Sequence, residues 1–547
     1  MKVVRPGVLS LLFLLFLLPL HSQSLKNYRS ALPADVRSDR IPEAQHLRDY
    51  VVNGKLTLSL RDAILLALAN NSNIRVEETQ IENQKMTVLG AYAPFDPLLQ
   101  GTFNVNRYSS PGYTALQGVG QSSNSTLNSL SQLGQISYTQ TFSTGTNLQV
   151  TVGSNRNSNN SSFLFFNPYY SSNLEFEFTQ PLLRGAGRFA NMAPVYIARR
   201  GLAESEESFK AEVSDAIYQV VQQYWADVQA RGNLDVSRQS MKLAQASYDR
   251  DKKALSLGAL PPLDIYRSQS EVAARSVDIL QAQSTLAQAD DALRLAIGAN
   301  QDPQIRALPL NLTESPVPQG ELASIDPSAE LAEALSRRPE IAMAADALEA
   351  DRLSIRLAHN QLRPSLSLNG FYQTNGLGGN QYNLTTGQLI APGGFGSSFG
   401  QLFGFDYPGY GATLTLQLPL RNHPAEASLG NALVAQSHDR YSSRYVREQI
   451  TRDVADAIEQ LTQAKLALEA AKSSYGLAQK SLEADQQKYE LGAETIFFVL
   501  DSQSRLAQAE SALLQTEVSY QLALASLGYA TGDNLTPWNV QIRDLSK

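Results

Sequence analysis

Two short segments of the chain alternate strictly between apolar and polar residues. In LEFEFT, Leu174, Phe176 and Phe178 fall on one side and Glu175, Glu177 and Thr179 on the other; in ATLTLQL, Leu414, Leu416 and Leu418 oppose Thr413, Thr415 and Gln417. A period of two predicts strands with one apolar and one wet face. A further pair, ISYTQTF and TNLQVTV joined by STGT within residues 134–153, predicts a hairpin that either adds strands or decorates a loop. The stretch GLGGNQYNLTTGQLIAPGGFG, rich in glycine and polar residues, predicts a long loop.

After the strands the pattern changes to long helical runs. No proline interrupts Val195 to Leu260 or Ala425 to Thr536, and the first of these would reach about 100 Å as one helix. Helices of that length need a partner along their whole course. In the second run Leu461, Leu468, Tyr475, Leu482 and Tyr489 recur every seven residues, with Ala457, Ala464, Ala471 and Ala478 between them. That is a coiled-coil seam whose small layers allow close approach. Leu234, Met241, Tyr248 and Leu255 hold the matching positions in the first run.

The two halves say the same thing in the same order. Pro97 pairs with Pro364 at an offset of 267, Pro181 with Pro419 at 238, Gly258 with Gly492 at 234 and Gly298 with Gly528 at 230. Offsets that shrink in steps mark two repeats differing by discrete insertions, the largest being 29 extra residues between the prolines of the first unit. Each unit opens with an amphipathic helix, SLRDAILLALANNSNIRVEETQIENQKMTVLGAYA in the first and SAELAEALSRRPEIAMAADALEADRLSIRLAHNQ in the second. The expected organisation is repeat 1 over 56–300, a linker over 301–327, repeat 2 over 328–532 and a tail over 533–547. Before them come a signal peptide over 1–23 and a short segment over 24–55.

Composition narrows the function. The 547-residue chain has a net charge of −7, which offers no basic footprint for nucleic acid. Lys2 and Arg5, the apolar run VLSLLFLLFLLPL and the small polar residues after it describe a secretory leader. Nowhere else are there enough consecutive apolar residues for a membrane-spanning helix. The absence of cysteine excludes disulfides, thiolate metal sites and lipid attached to cysteine. Five scattered histidines form no metal-ligand spacing, and no phosphate-binding loop or nucleophile motif is present. The reading is a non-enzyme without cofactor or metal.

Two strands per unit, four per chain, cannot stand alone in water with an apolar outer face. If that face meets lipid, the strands must close into a barrel, and a symmetric oligomer supplies the missing strands.

At this point the chain resembles the TolC-like outer-membrane efflux proteins. The resemblance covers residues 56–532 and rests on SLRDAILLALANN, on QPLLRGAGRFAN and LPLRNHPAEA, and on YELGAETIFFVLDSQSRLAQAESALLQTEVSYQLALASLGYATG. It implies a mixed membrane β-barrel and long α-helical coiled-coil barrel. Three copies would share one twelve-stranded barrel and a twelve-helix periplasmic tunnel, with the linker in an equatorial belt. Eighteen strands would result if the 134–153 hairpin joined the wall. The implied function is the outer-membrane exit duct of a tripartite efflux or type I secretion system, working with a periplasmic adaptor and an inner-membrane transporter. A periplasmic coiled-coil adaptor and a passive porin are the alternatives.

The resemblance also gives the repeated phrases LGALPPLDIYRSQS (257–270) and LGAETIFFVLDSQS (491–504) a role as tunnel tips. Leu257, Gly258, Leu491 and Gly492 would meet the adaptor. Asp501 matches an aspartate that lines the family's entrance, and Phe498 stands where a second one is found, so an acidic ring would sit beside an aromatic constriction. Asp264 and Tyr489 match two partners of the family's closing link. The third partner, an arginine, is replaced by Glu494, with Arg267 a candidate substitute base. From the residues alone, Asp264 and Asp501 also fit first-turn helix acids.

Overall fold

The computed structural model describes residues 46–111, 126–161, 164–257, 263–318, 325–538 and 540, so the predicted signal peptide lies outside the described residues. The chain divides into two compact units. One comprises Lys85–Arg200 and Glu349–Ser437; the other runs up to Gln84 and takes in Gly201–Leu348 and the residues from His438 onward.

In the compact body that includes Lys85–Arg200 the alternation extends well beyond the two segments legible in sequence. Six long strands form it: β3 (Leu98–Pro111), β4 (Thr126–Thr141), β5 (Asn147–Asn159), β6 (Phe166–Pro181), β8 (Ser365–Tyr382) and β10 (Tyr407–Gln417). They build one antiparallel sheet in the order β10-β8-β6-β5-β4-β3, with the short β9 (Leu389–Ala391) on the end of β8. The expectation of four strands per chain is therefore corrected to six long strands in this sheet among the described residues. The STGT hairpin is not a decoration. Its strands β4 and β5 fill the sheet between β3 and β6, and its turn is set by Gly145, whose φ of +87° and N–H to the Phe142 carbonyl (2.8 Å) form a left-handed turn position.

The register sorts the side chains. Leu174, Phe176 and Phe178 of β6 lie beside Val152, Val150 and Leu148 of β5 and, on the other side, beside Thr374, Tyr372 and Gly370 of β8. Leu414 and Leu416 of β10 continue this apolar face beside Leu368 and Leu366, and Leu99 and Phe103 of β3 continue it beside Tyr138 and Gly134. The opposite face carries Gln135, Thr151, Glu175, Gln373 and Thr413; there Asn369 donates to Thr179 at 3.1 Å. The sheet is open, with β3 and β10 as its edges.

The predicted glycine-rich loop is corrected in part. Its GLGG segment continues β8, and a short helix α7 (Phe395–Gly404) packs on the sheet there. A Cβ on Gly376 would stand 1.9 Å from the Ser398 carbonyl oxygen, and one on Gly378 2.2 Å from that of Gly394. These glycines are needed for close backbone approach within a strand. Ser172 and Ser398 share a buried hydroxyl contact at 2.9 Å that fixes the same packing.

Helices make up most of the other compact body, and their order along the chain repeats. Helices α1 (Leu60–Asn70) and α2 (Ser72–Gly90) open the first half; α5 (Pro327–Arg337) and α6 (Pro339–Gln361) open the second. Each opening segment, read as continuous in sequence, is broken, at Asn71 (ψ 123°) and at Arg338 (ψ 124°), the latter forced toward extended backbone by Pro339. Ser59 starts α1 with a reciprocal capping box to Asp62, and Asp326 caps α5. The long helices are α3 (Arg188–Ser256), α4 (Asp264–Ala296), α8 (His423–Glu490) and α9 (Ile496–Thr531). α3 starts seven residues before the proline-free run and includes Pro194.

The heptad seam is present: Ile450, Val454, Ala457, Leu461 and Leu468 of α8 bury against Tyr520, Ala523 and Leu527 of α9. A larger core joins Ile64 and Leu66 of α1, Val220 and Tyr224 of α3, and Leu293 of α4 to a small sheet. That sheet is formed by β1 (Val51–Val52), β2 (Lys55–Leu58) and β7 (Leu310–Leu312), with β7 of the linker running parallel to β2. Arg231 holds the linker in place, donating to the Leu310 carbonyl at 3.1 Å, to buried Asp227 at 2.5 Å and to Asp290.

Burial, with Asp290 beside it, pushes the Asp227 carboxyl up against the opposing pull of Arg231. A carboxyl raised in the folded state loses stability as pH rises through the raised value. Asp227→Asn is accordingly expected to gain relative to wild type as pH rises from the ordinary value of 3.8 to the raised one of about 7, and to change no further above it. Arg231→Met, which leaves two carboxylates and a carbonyl without their donor, should cost about 3–5 kcal/mol. Thermal unfolding of the purified protein across pH checks both.

Candidate functional site

The second hairpin tip is a helix end built by glycine. Gly492 adopts φ +73°, its N–H meets the Tyr489 carbonyl at 3.0 Å, and the Ala493 N–H reaches back to the Lys488 carbonyl at 2.9 Å. This pair of bonds is the Schellman closure, and it requires the left-handed residue that glycine provides. Leu491 is left 84% exposed, and Leu257, at the end of α3, 83% exposed. Gly258 lies outside the described residues, as does the side chain of Asp264, the first residue of α4.

The shared SQS of the two repeated phrases has a structural reason. Ser268 donates its hydroxyl to buried Asp251. In the second unit Ser502 donates to Asp485 at 2.5 Å. Both serines and both aspartates are related by the same 234-residue offset. Each coiled-coil pair therefore carries one carboxylate–hydroxyl layer next to its tip.

The layers are tied to neighbouring groups. Tyr489 donates its hydroxyl to Asp251 at 3.3 Å, and the Arg250 guanidinium lies 4.6 Å from the centre of the Tyr489 ring. Gln503 donates to Ser247 at 3.3 Å. Tyr489 of the second repeat thus meets a carboxylate of the first, Asp251. Glu494 finds its base in Lys488, at 2.7 Å, and Lys488 also reaches Asp485 at 3.4 Å. Arg267 is exposed on α4.

The pore candidates sit on the first turns of α9. Phe498 is half exposed and meets Phe497 edge to face at 5.5 Å. Asp501 is paired to Arg505, one turn on, at 2.8 Å. Below these residues Leu482, Ile496 and Val499 form a small apolar cluster that seats α9 on α8.

The family model for outer membrane efflux proteins matches residues 146–299 and 331–533. This chain belongs to the outer membrane efflux protein family. The efflux protein is 24% identical over 349 residues to the cation efflux system protein CusC of Escherichia coli K12, covering 63% of this chain and 70% of that one. Among solved structures, it is similar to a membrane protein from Pseudomonas aeruginosa, with a TM-score of 0.62 at 20% identity over 91% of this chain and 98% of that one. VceC of Vibrio cholerae gives a TM-score of 0.61 at 15% identity, over 90% and 99%. The efflux protein is an outer-membrane protein, and none of its described helices is long and apolar enough to cross a membrane.

At the tip of the efflux protein, the Ser502 hydroxyl and the nearby Lys488 ammonium hold the Asp485 carboxyl below its ordinary range, while Glu494 and Asp485 hold Lys488 above its own. The first contribution is fully present above the ordinary value of 3.8 and is lost as pH falls through the lowered one. The second is present below 10.5 and is lost as pH rises through the raised one. Amide exchange over residues 485–502 is thus expected to reflect an unchanged tip at neutral pH and a loosened one in strong acid. Tyr489→Phe, which removes one donor from buried Asp251, should loosen the same segment at neutral pH by about 1–2 kcal/mol.

Proposed function

We propose that the protein is the exit duct of a tripartite efflux or type I secretion system, conducting cargo passively across the outer membrane and gated at the helix tips. The observation that carries this reading is the open sheet, apolar on one face and polar on the other, in a chain that also contains paired helices of 69 and 68 residues. An apolar sheet face with free edges belongs in a lipid-embedded barrel closed by further copies. A homotrimer, bringing twelve long helices into one periplasmic tunnel, is the assembly proposed here. A periplasmic adaptor would dock on the exposed leucines Leu257 and Leu491, beside the turn glycines Gly258 and Gly492. Energy would come from an inner-membrane transporter.

The gate would close through the Tyr489–Asp251 link, with Asp264 and Arg267 on the adjoining turn of α4. In the trimer, Asp501 would supply one carboxylate per copy to the entrance and Phe498 an aromatic constriction. Because each Asp501 already has Arg505 as counter-charge, the entrance would be less acidic than its carboxylates suggest. In single-channel recordings in planar bilayers, wild type should show a small conductance. Arg505→Ala should raise cation selectivity and sensitivity to divalent block, and Asp501→Ala should abolish that block. Phe498→Ala should enlarge the conductance. A large conductance indifferent to all three changes would remove these residues from the gate.

A further inference from the structure

We infer that the barrel closed by this chain contains eighteen strands, made when the β10 edge of each copy pairs with the β3 edge of the next. The inference rests on the trimeric reading above and adds to it the sheet the chain brings.

The first observation is the sheet itself. Five ladders join six long strands without a gap, and the β4–β5 hairpin is central, paired along its length with β3 on one side and β6 on the other. Removing the hairpin from the wall would break two of those ladders. The second observation is the pair of edges. β10 carries no charge and β3 only Arg107, and the apolar positions Tyr410, Leu414, Leu99 and Phe103 are exposed on them. A free edge of this kind attracts another strand in water and is not tolerated in hydrocarbon. Within one chain the two edges do not pair.

The edges also fit each other. Six antiparallel strands leave β3 and β10 running in opposite directions, so the strand of one copy meets its neighbour's in the same antiparallel sense as every ladder in the chain. Leu98 and Gln417 both stand at the helix end of the sheet, next to Pro97 and Pro419. Setting these two residues level places Gln100 beside Thr415 on the polar face and Phe103 near Ala412 and Leu414 on the apolar one. A slip of one residue would exchange the faces. With strands about 4.8 Å apart and tilted about 40°, eighteen give a backbone diameter of about 36 Å, against about 24 Å for twelve. Barrels of that size enclose an aqueous channel.

The absence of native cysteine makes the test direct. In the full chain in native membranes, Gln100→Cys is combined in turn with Thr413→Cys, Thr415→Cys or Gln417→Cys, and oxidised. At least one pair should give covalent trimers on denaturing gels. Thr102→Cys with Gln135→Cys and Gln149→Cys with Glu177→Cys, opposed within one chain, should instead form links inside the monomer. Electron cryomicroscopy of the wild-type protein in lipid nanodiscs should show eighteen strands. A trimer with twelve wall strands and residues 130–159 outside the wall would overturn the inference, as would an intact trimer in which no edge pair cross-links. A dimeric particle would overturn it through the trimeric reading, with the within-chain links still recording six strands per copy.

Discussion

A backbone N–H or C=O left unpaired in hydrocarbon costs several kcal/mol, and this constraint organises the rest of the molecule. The sheet offers lipid an apolar face built from six strands, but it ends at β3 and β10 with free backbone groups. The chain therefore cannot complete its own membrane structure. Under the proposed duct, assembly would follow from that incompleteness, and the polar face, lined by Gln135, Glu175 and Thr413, would become the inner wall once the edges are joined. Where backbone comes closest to backbone, at Gly376 and Gly378 under α7, side chains are dispensed with altogether.

The helical hairpins follow a different logic toward their tips. Along α8 and α9 the seam is apolar from Ile450 to Leu468. Near the tip it changes to Asp251–Ser268 and Asp485–Ser502, with only a small apolar cluster between α8 and α9. Buried polar layers fix register, and they tie helices together less firmly than apolar layers do. A seam that is firm along its length and polar at its end can separate at that end without melting the remainder. Tyr489 of the second repeat meets Asp251 and Arg250 of the first across this polar end. A partner at the exposed leucines would need only to favour the separated arrangement to shift the population.

Much of this was legible in the sequence. The duplicated order, the helices, the seam and the landmark prolines at the strand ends all follow from periodicity and spacing. The strands of the first unit were less legible, because in LNSLSQLGQISYTQT one face holds Leu130, Gly134, Ile136 and Tyr138 beside asparagine and glutamine while the other holds Ser, Thr and Gln beside Leu127 and Leu133, so contrast between faces is weak. In GLGG, glycines that read as a loop are strand residues made small by a helix resting on them. At the tip, Tyr489 was singled out in the sequence. Its partner Asp251 and the Asp–Ser layers were not, since Tyr489 and Asp251 lie 238 residues apart, each Asp–Ser pair lies 17 apart on different helices, and no local pattern connects them. The duplicated SQS was the one visible trace. The Asp501–Arg505 pair, four residues apart on one helix face, could have been read directly.

The unequal repeats obey one further rule. The first unit supplies four long strands and the second two, the difference being the β4–β5 hairpin with its linking turn. An antiparallel sheet can gain strands between β3 and β6 only in pairs. One added strand would reverse the chain at β6 and deliver α3 to the wrong end of the sheet. A hairpin leaves the direction of β6, the entry into α3 and the opposition of the two edges unchanged, while widening the wall. The wall can therefore grow in the first unit while the helical order stays matched between units, because the two regions are coupled only through strand direction, which a hairpin preserves.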